Sequence, residues 1–494
     1  METLQEVQVL LENEAEAVIP DSQAEALEID LGKWNAKATA EFLREYKLIK
    51  LERLMGNHLG AKHWQQLAVY VDDCKRLFST EMFRPKSGAA ADAESVLPID
   101  RLIGSLGRAL EQFYPFAGRL IRKENDSGVR LFCNNQGAQF THKRFDGAVS
   151  DLIDEEQFQP NEFISGLYDV QPHADVCRES GLPVLIIQVT DFQCGTRCLS
   201  TSYSHAVADG FSGTHFLSSW AQISRGEAIS LMPVHNRSLL MPRKSSSVLD
   251  GGPVRFMNNS RNAPLAVQPT NPEDGVSTKA MKLSRRRMNE LKAEALRDAH
   301  GGILSTADCV SAHLWRLITD KRKIKPHELT RFYTAVDVRS RLKDFPAGYF
   351  GNCLTVAVVV MTAGELLSKP LGYAATAIHN AVKEMDEEVI RGTIDWISVN
   401  KYSSSSMGDE PFMPGDPRFN LHTVSASWSN RFPFYELDFG GGRPSAIFRN
   451  AFRSGPFVIG RFHVHPTSTT SSEGDLKVSL FAENNLLEKV GNEI

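Results

Sequence analysis

The chain predicts two mixed α/β domains of similar size joined by a long crossover, and three observations carry that fold class. The sequence has 494 residues, more than one ordinary domain uses and enough for two. Segments patterned as strands and as helices alternate in both halves, which favours mixed sheets with packed helices. Between the halves, from about 226 to 277, the composition turns to Pro, Asn, Ser and Gly, with Pro233, Pro242, Pro253, Pro264, Pro269, Pro272 and the run Ser245-Ser246-Ser247. A stretch that long without a periodic apolar pattern reads as an interdomain connection. The domains are therefore placed at 1–225, 226–277 (crossover) and 278–494.

In the first half, Gln5 to Leu11 alternates like a strand, and about Gln23 to Tyr46 is rich in Ala, Glu and Lys without an assignable role. Leu67 to Val71 reads as a strand. From Ile99 to Phe113, Leu102, Ile103, Leu106 and Leu110 recur at helical spacing. Tyr114 to Leu120 is a turn before a strand, and Val129 to Cys133, Val184 to Val189 and Arg197 to Ser202 are further strands. Phe211 to Ile223 is an apolar helix-like run.

In the second half, Lys279 to Leu283 is a strand and Leu283-Ser284 opens a helix to about Ala299. Ser305 or Thr306 caps an apolar helix carrying Val310, His313, Leu314 and Leu317, because hydroxyls satisfy free amides at helix starts. Arg331 to Val338 and Leu354 to Met361 are strands, Leu371 to Glu387 a helix, and 402–417 a loop. Strands return near Leu421 to Ser425, Phe457 to Arg461 and Leu476 to Ala482.

Bulk properties exclude several function classes. A net charge of −5 leaves no basic field for nucleic acid or an anionic membrane. Seven scattered cysteines, with Cys194 and Cys198 the one close pair, suit neither a disulfide framework nor a zinc site. The acidic N-terminus fits neither a secretory signal nor a transit peptide, and no apolar run reaches membrane-spanning length. These features favour the cytoplasm, with no metal and no tightly bound cofactor.

The most informative stretch is Ser204-His205-Ala206-Val207-Ala208-Asp209-Gly210. A strand leads in, a helix leads out, and small residues surround one imidazole, the side chain whose charge changes near neutral pH. The same spacing occurs at His142-Lys143-Arg144-Phe145-Asp146-Gly147. With 14 His and 60 acidic residues, such matches arise by chance, so context decides. Ala, Val and Ala suit a buried, water-poor turn, whereas Lys, Arg and Phe suit a solvated surface turn. His205 is the candidate general base.

Six segments, in order, resemble one family: FYPFAGRL (Phe113 to Leu120), SHAVADG (Ser204 to Gly210), SAHLWR (Ser311 to Arg316), VDVRSRL (Val336 to Leu342), YFGN (Tyr349 to Asn352) and DFGGG (Asp438 to Gly442). Together they resemble the plant BAHD acyltransferases, and closest the hydroxycinnamoyltransferases of specialised phenylpropanoid metabolism. The resemblance implies a monomer of two chloramphenicol-acetyltransferase-like domains with a channel between them. It implies acyl-CoA as co-substrate and a small-molecule alcohol or amine as acceptor. Shikimate, quinate, other alcohols and polyamines stay open.

Residue by residue, the resemblance makes His205 the base of a direct ternary complex, and no G-x-S-x-G elbow is present to suggest an acyl-enzyme. Asp209 turns away and pairs with an arginine of VDVRSRL, Arg339 or alternatively Arg341, while Gly210 lets the backbone bend. Asn352 ties backbone together. Asp438 opens a supporting loop whose usual tryptophan is replaced by Gly441, with Phe448 as a neighbour that could fill the gap. Ser427, Trp428 and Arg431 line the acceptor side: Trp428 as an oxyanion donor, Ser425 or Ser427 in place of the family's threonine, whose position is Ala426 here, and Arg431 as a grip for an acceptor carboxylate. Ser284 and Arg285, at a helix start, are candidate contacts for coenzyme A phosphate. Two other readings stand beside the transferase: a non-catalytic relative acting through protein partners, and a hydrolase of acyl-CoA.

Overall fold

The computed structural model of the protein describes residues 76–84, 97–122, 129–149, 182–243, 275–297, 303–400, 422–448, 459–467 and 474–491. The readings at Gln5 to Leu11, about Gln23 to Tyr46, Leu67 to Val71 and 402–417 lie outside these residues.

The first half holds β1 (Arg76–Phe83), α1 (Ile99–Gln112), β2 (Arg119–Arg122), β3 (Val129–Phe132), β4 (Gln139–Phe145), β5 (Leu182–Pro183), β6 (Leu185–Phe192), β7 (Arg197–Ser204) and α2 (Gly210–Ser224). Strands β6 and β7 form an antiparallel hairpin buried along its whole length. One face presents Leu185, Ile187, Val189, Leu199 and Tyr203 to a core shared with both helices. Hydroxyls pair across β1 and β7, Ser79 with Thr201 at 2.8 Å and Thr80 with Ser200 at 2.9 Å, so these buried polar groups keep partners. The spacing predicted for α1 holds: Leu102, Ile103, Leu106 and Leu110 are all buried. Trp220 of α2 locks the two helices, its indole N–H donating to the Leu102 carbonyl at 3.1 Å and the Ser105 hydroxyl at 2.9 Å.

The second half holds β8 (Val276–Leu283), α3 (Arg285–Arg297), α4 (Thr306–Lys321), β9 (Leu329–Asp337), β10 (Leu354–Thr362), α5 (Ala363–Ser368), α6 (Leu371–Lys383), α7 (Glu387–Asn400), β11 (Thr423–Trp428), β12 (Ala446–Phe448), β13 (Arg461–Pro466), β14 (Leu476–Glu483) and α8 (Asn484–Val490). Six of its strands form one sheet in the order β10-β9-β11-β13-β14-β8. Phe332, Val424, Ala426, Phe462, Val464, Val478 and Leu480 line the face under α3, α4, α6 and α8. Ser305 caps α4 through a reciprocal capping box with Asp308, which settles the choice between Ser305 and Thr306.

Three local readings change. The helix expected from Leu371 to Glu387 is two helices with a break at Glu384–Asp386. Arg341 holds that break by donating to the Val382 and Met385 carbonyls at 2.8 and 2.9 Å. The last-but-one strand is described from Arg461, after a turn at 459–460, and Phe457 lies outside the described residues. The segment from His142 is not a surface turn: His142 sits inside β4, which pairs in parallel with β6.

The final third of the chain does not stay in its own sheet. Strand β12 pairs antiparallel with β1, giving the first-half order β12-β1-β7-β6-β4. Phe434, Leu437, Phe439 and Ile447 are buried in the first-half core. The chain from β11 to β12 therefore passes from one core to the other, and the site lies along that passage.

Candidate active site

Strand β7 delivers His205 as the first residue of a tight turn, in which the Ser204 carbonyl accepts from the amides of Val207 at 3.1 Å and Ala208 at 3.4 Å. Val207 and Ala208 are small enough to enter the core beneath the turn, so the imidazole is held above apolar packing and is only 9% exposed. Asp209 then caps α2, its Oδ1 accepting from the Ser212 amide at 2.8 Å. Gly210 is not in the left-handed region, so bending is not its reason. A Cβ there would lie 3.1 Å from the ring of Phe432. Gly213 is tighter still: a Cβ would sit 2.0 Å from the hydroxyl of Tyr203, which itself donates to the Asp209 carbonyl at 3.3 Å.

The second half grips this turn from the other side. Arg339, at the end of β9, sets its Nη1 2.8 Å from Asp209 Oδ2 and donates from Nη2 to Asp209 Oδ1 at 3.1 Å. Its Nη2 also reaches the Ser212 hydroxyl at 3.0 Å and the Gly351 carbonyl at 2.9 Å, and the guanidinium lies 4.4 Å from the Phe211 ring centroid. Arg341, the alternative, holds the α6–α7 break instead. Three consecutive residues before β10 complete the grip. The Gly351 amide donates to the Ser212 hydroxyl at 2.9 Å, the Asn352 side-chain amide donates to the His205 carbonyl at 2.7 Å, and the Cys353 amide donates to Asp209 Oδ2 at 2.9 Å. Sequence reasoning missed Ser212, Gly213 and Cys353. Their contacts run through a common hydroxyl, a steric limit and a main-chain amide, and leave no distinctive residue-type signature.

These contacts enclose the Asp209 carboxylate on all sides. Burial alone would push its carboxyl up, but the Arg339 guanidinium and the amides of Ser212 and Cys353 outweigh that and hold it below its ordinary value. Its oxygens are taken by those groups, so it is an anchor for the turn rather than a partner that receives a proton from the imidazole. Burial disfavours the Arg339 cation, yet Asp209 and Asp337 more than compensate and its pKa is raised.

His142 has a different neighbourhood. Its Nε2 lies 2.8 Å from Asp191 Oδ2, and Asp191 also binds Arg197 at 2.5 and 2.9 Å, whereas Asp146 is exposed. Burial opposes ionisation of Asp191, but His142 and Arg197 prevail and lower its pKa to about 2.

The segment from Ser427 to Phe432 meets the far end of the His205 turn, where Phe432 lies against Gly210. Trp428 packs against the second-half core, and its indole N–H donates to the Ser311 hydroxyl at 3.2 Å. Ser427 is half-buried on β11, Arg431 is exposed in the next turn, and Phe432 contacts the position of Gly210. The chain then enters the first-half core through Phe434.

Asp438 closes the following loop by accepting from the amides of Gly440 at 2.7 Å and Gly442 at 3.0 Å. Both glycines have positive φ, at 105° and 119°. Phe439 is fully buried, 4.9 Å from Trp220 between ring centroids, and its carbonyl accepts from Ser224 at 2.8 Å. The loop thus keeps an aromatic anchor despite Gly441, and the side chain of Phe448 lies outside the described residues.

At the start of α3, the Arg285 amide donates to Asp475 at 2.8 Å and the Ser284 hydroxyl accepts from Arg287 at 3.1 Å. The chain's own carboxylate therefore occupies the helix end where a phosphate was expected.

Two mixed α/β halves thus meet around a buried histidine, and the comparisons with known proteins name the class. The profile described as the Transferase family matches residues 66–459, and the chain belongs to that family, the BAHD acyltransferases. It is similar to shikimate O-hydroxycinnamoyltransferase of Nicotiana tabacum, with 32% identity over 78% of this chain and 86% of the relative. It is also similar to hydroxycinnamoyl-CoA:5-hydroxyanthranilate N-hydroxycinnamoyltransferase of Avena sativa, at 31% over 81% and 88%, and to rosmarinate synthase of Plectranthus scutellarioides, at 30% over 78% and 84%. Among solved structures, vinorine synthase superposes with a TM-score of 0.61 at 18% identity, covering 86% of this chain and 90% of that one. F. sporotrichioides TRI101, complexed with coenzyme A and T-2, gives 0.65 at 16%, covering 87% and 96%. Among the described residues no helix is long and apolar enough to cross a membrane.

Proposed function

We propose that the protein transfers a hydroxycinnamoyl or related aromatic acyl group from coenzyme A to the hydroxyl or amine of a small acceptor, with His205 as general base in a ternary complex. The observation that carries this reading is the buried His205 turn, fixed from both halves and lying beside the segment that ends at Phe432. The imidazole takes the acceptor proton as oxygen or nitrogen attacks the thioester carbonyl, and coenzyme A leaves as the thiol. Such a base supplies about 10² to 10⁴ in rate. Asp209, with its oxygens bound to Arg339 and to amides, orients the turn and does not relay the proton.

The relatives named above include one acting on shikimate and one acting on hydroxyanthranilate, and both acceptors carry a carboxylate. Exposed Arg431, one residue from the ring that contacts the Gly210 position, is suited to grip such a group. The Trp428 N–H is taken by Ser311, which leaves the half-buried Ser427 as the oxyanion donor and Arg431 as the grip for the acceptor carboxylate. Asp475 holds the Arg285 amide and the Ser284 hydroxyl accepts from Arg287, so of the two expected coenzyme A contacts only the Arg285 guanidinium is carried forward in this reading.

The test is thiol release from a panel of acyl-CoAs, with and without acceptors, for the native protein and His205→Ala. The expected outcome is release that requires both an aromatic acyl-CoA and an acceptor, and that falls at least ~100-fold in the variant. Arg431→Ala should raise KM for carboxylate-bearing acceptors and leave neutral ones unchanged. Equal release without an acceptor would make the protein a hydrolase and sink the proposal.

A further inference from the structure

The residues Gly351, Asn352 and Cys353 touch three successive parts of the His205 turn, and they do so in different ways. Gly351 and Cys353 use backbone groups, on Ser212 and Asp209. Asn352 uses its side chain, and on the main chain of His205 itself, at 2.7 Å. A carbonyl only accepts, so the Asn352 amide must present nitrogen to it, which fixes the side chain's orientation. The cost of that orientation is visible: Asn352 Oδ1 is buried without a hydrogen-bond partner among the described residues.

We infer that Asn352 is a positioning residue for the acyl transfer, holding the His205 peptide so that the imidazole meets the acceptor proton at a fixed height. The inference rests on His205 being the base. Asp209 and Arg339 fix the far end of the turn, where the helix begins. Asn352 ties the near end, on the His205 main chain itself, and without that bond the imidazole moves relative to both substrates. A displacement of about 1 Å at a reacting group lowers rate by about 100-fold while leaving binding surfaces intact.

The experiment compares Asn352→Ala, Asn352→Asp and His205→Ala, using the acyl-CoA and acceptor identified by the panel. Asn352→Ala should lower kcat by about 10- to 100-fold, with KM for both substrates within about threefold. Asn352→Asp is nearly isosteric and gives a signature that a packing role would not. Its carboxyl donates to the His205 carbonyl when protonated and repels it when ionised, so activity should fall on the alkaline side where the native profile stays flat. If Asn352→Ala does not fold, the isosteric variant decides alone. Native kcat and an unaltered pH profile in the asparagine variants, with His205→Ala inactive, would overturn this inference and spare the general-base reading. Retained activity in His205→Ala would overturn both.

Discussion

Two stretches of this chain share the spacing His-x-x-x-Asp-Gly, and the fold treats them in opposite ways. At His205 the histidine and aspartate part company across a turn: one is held beside the acceptor-side segment, the other is buried at 0% exposure against Arg339. At His142 the histidine stays within a strand and takes its carboxylate from Asp191, while Asp146 faces solvent. The spacing is therefore not the site. What distinguishes the first stretch is the set of groups that arrive from about 130 to 147 residues later in the chain, at Arg339, Cys353 and Asn352.

The comparison predicts unequal responses. The largest is catalytic: His205→Ala abolishes acyl transfer as stated above, whereas His142→Ala leaves kcat/KM unchanged in the same assay. Next, removing one member of the buried pair strands the other. Asp209→Ala and Arg339→Ala should each destabilise by about 3–5 kcal/mol in urea unfolding, and the double variant by less than the sum. Gly213→Ala forces a methyl into the Tyr203 hydroxyl and should cost about 1–3 kcal/mol in the same measurement.

The smallest effect belongs to the other stretch and depends on pH. The folded pKa of Asp191 is depressed to about 2 from an ordinary 3.8, so its contribution is complete above the ordinary value and is lost as pH falls toward 2. Thermal unfolding of the native protein should therefore show a stability rise between about pH 2 and 4 that Asp191→Asn lacks. An identical pH slope in both proteins would remove the ion pair from the account.

Much of this was legible from local pattern. Apolar spacing located α1, a short apolar run located β6, and the hydroxyls at Ser305 and Thr306 located the start of α4, because these depend on residues near in sequence. His205, Asp209 and Arg339 were legible because imidazole, carboxylate and guanidinium are chemically distinctive. The missed features share a different cause. The break between α6 and α7 is held by Arg341 from a distant loop, and Asp475 reaches the start of α3 from 190 residues away. Arg144 of β4 is exposed, as its charge suggests, but the segment is a strand rather than a turn because β6 pairs beside it. Ser212 and Cys353 act through a hydroxyl and a main-chain amide that nearly any sequence offers.

The return of β12 to β1 has a consequence for how the protein comes off the ribosome. Residues 446–448 supply the strand that covers the β1 edge, and Phe439 and Ile447 fill the core beneath it. Until roughly nine-tenths of the chain has been synthesised, the first sheet waits with a bare edge and an apolar gap, a surface prone to pair with other chains. Translation stalled within β11 would expose that edge, and a fragment ending at residue 225 would carry it permanently.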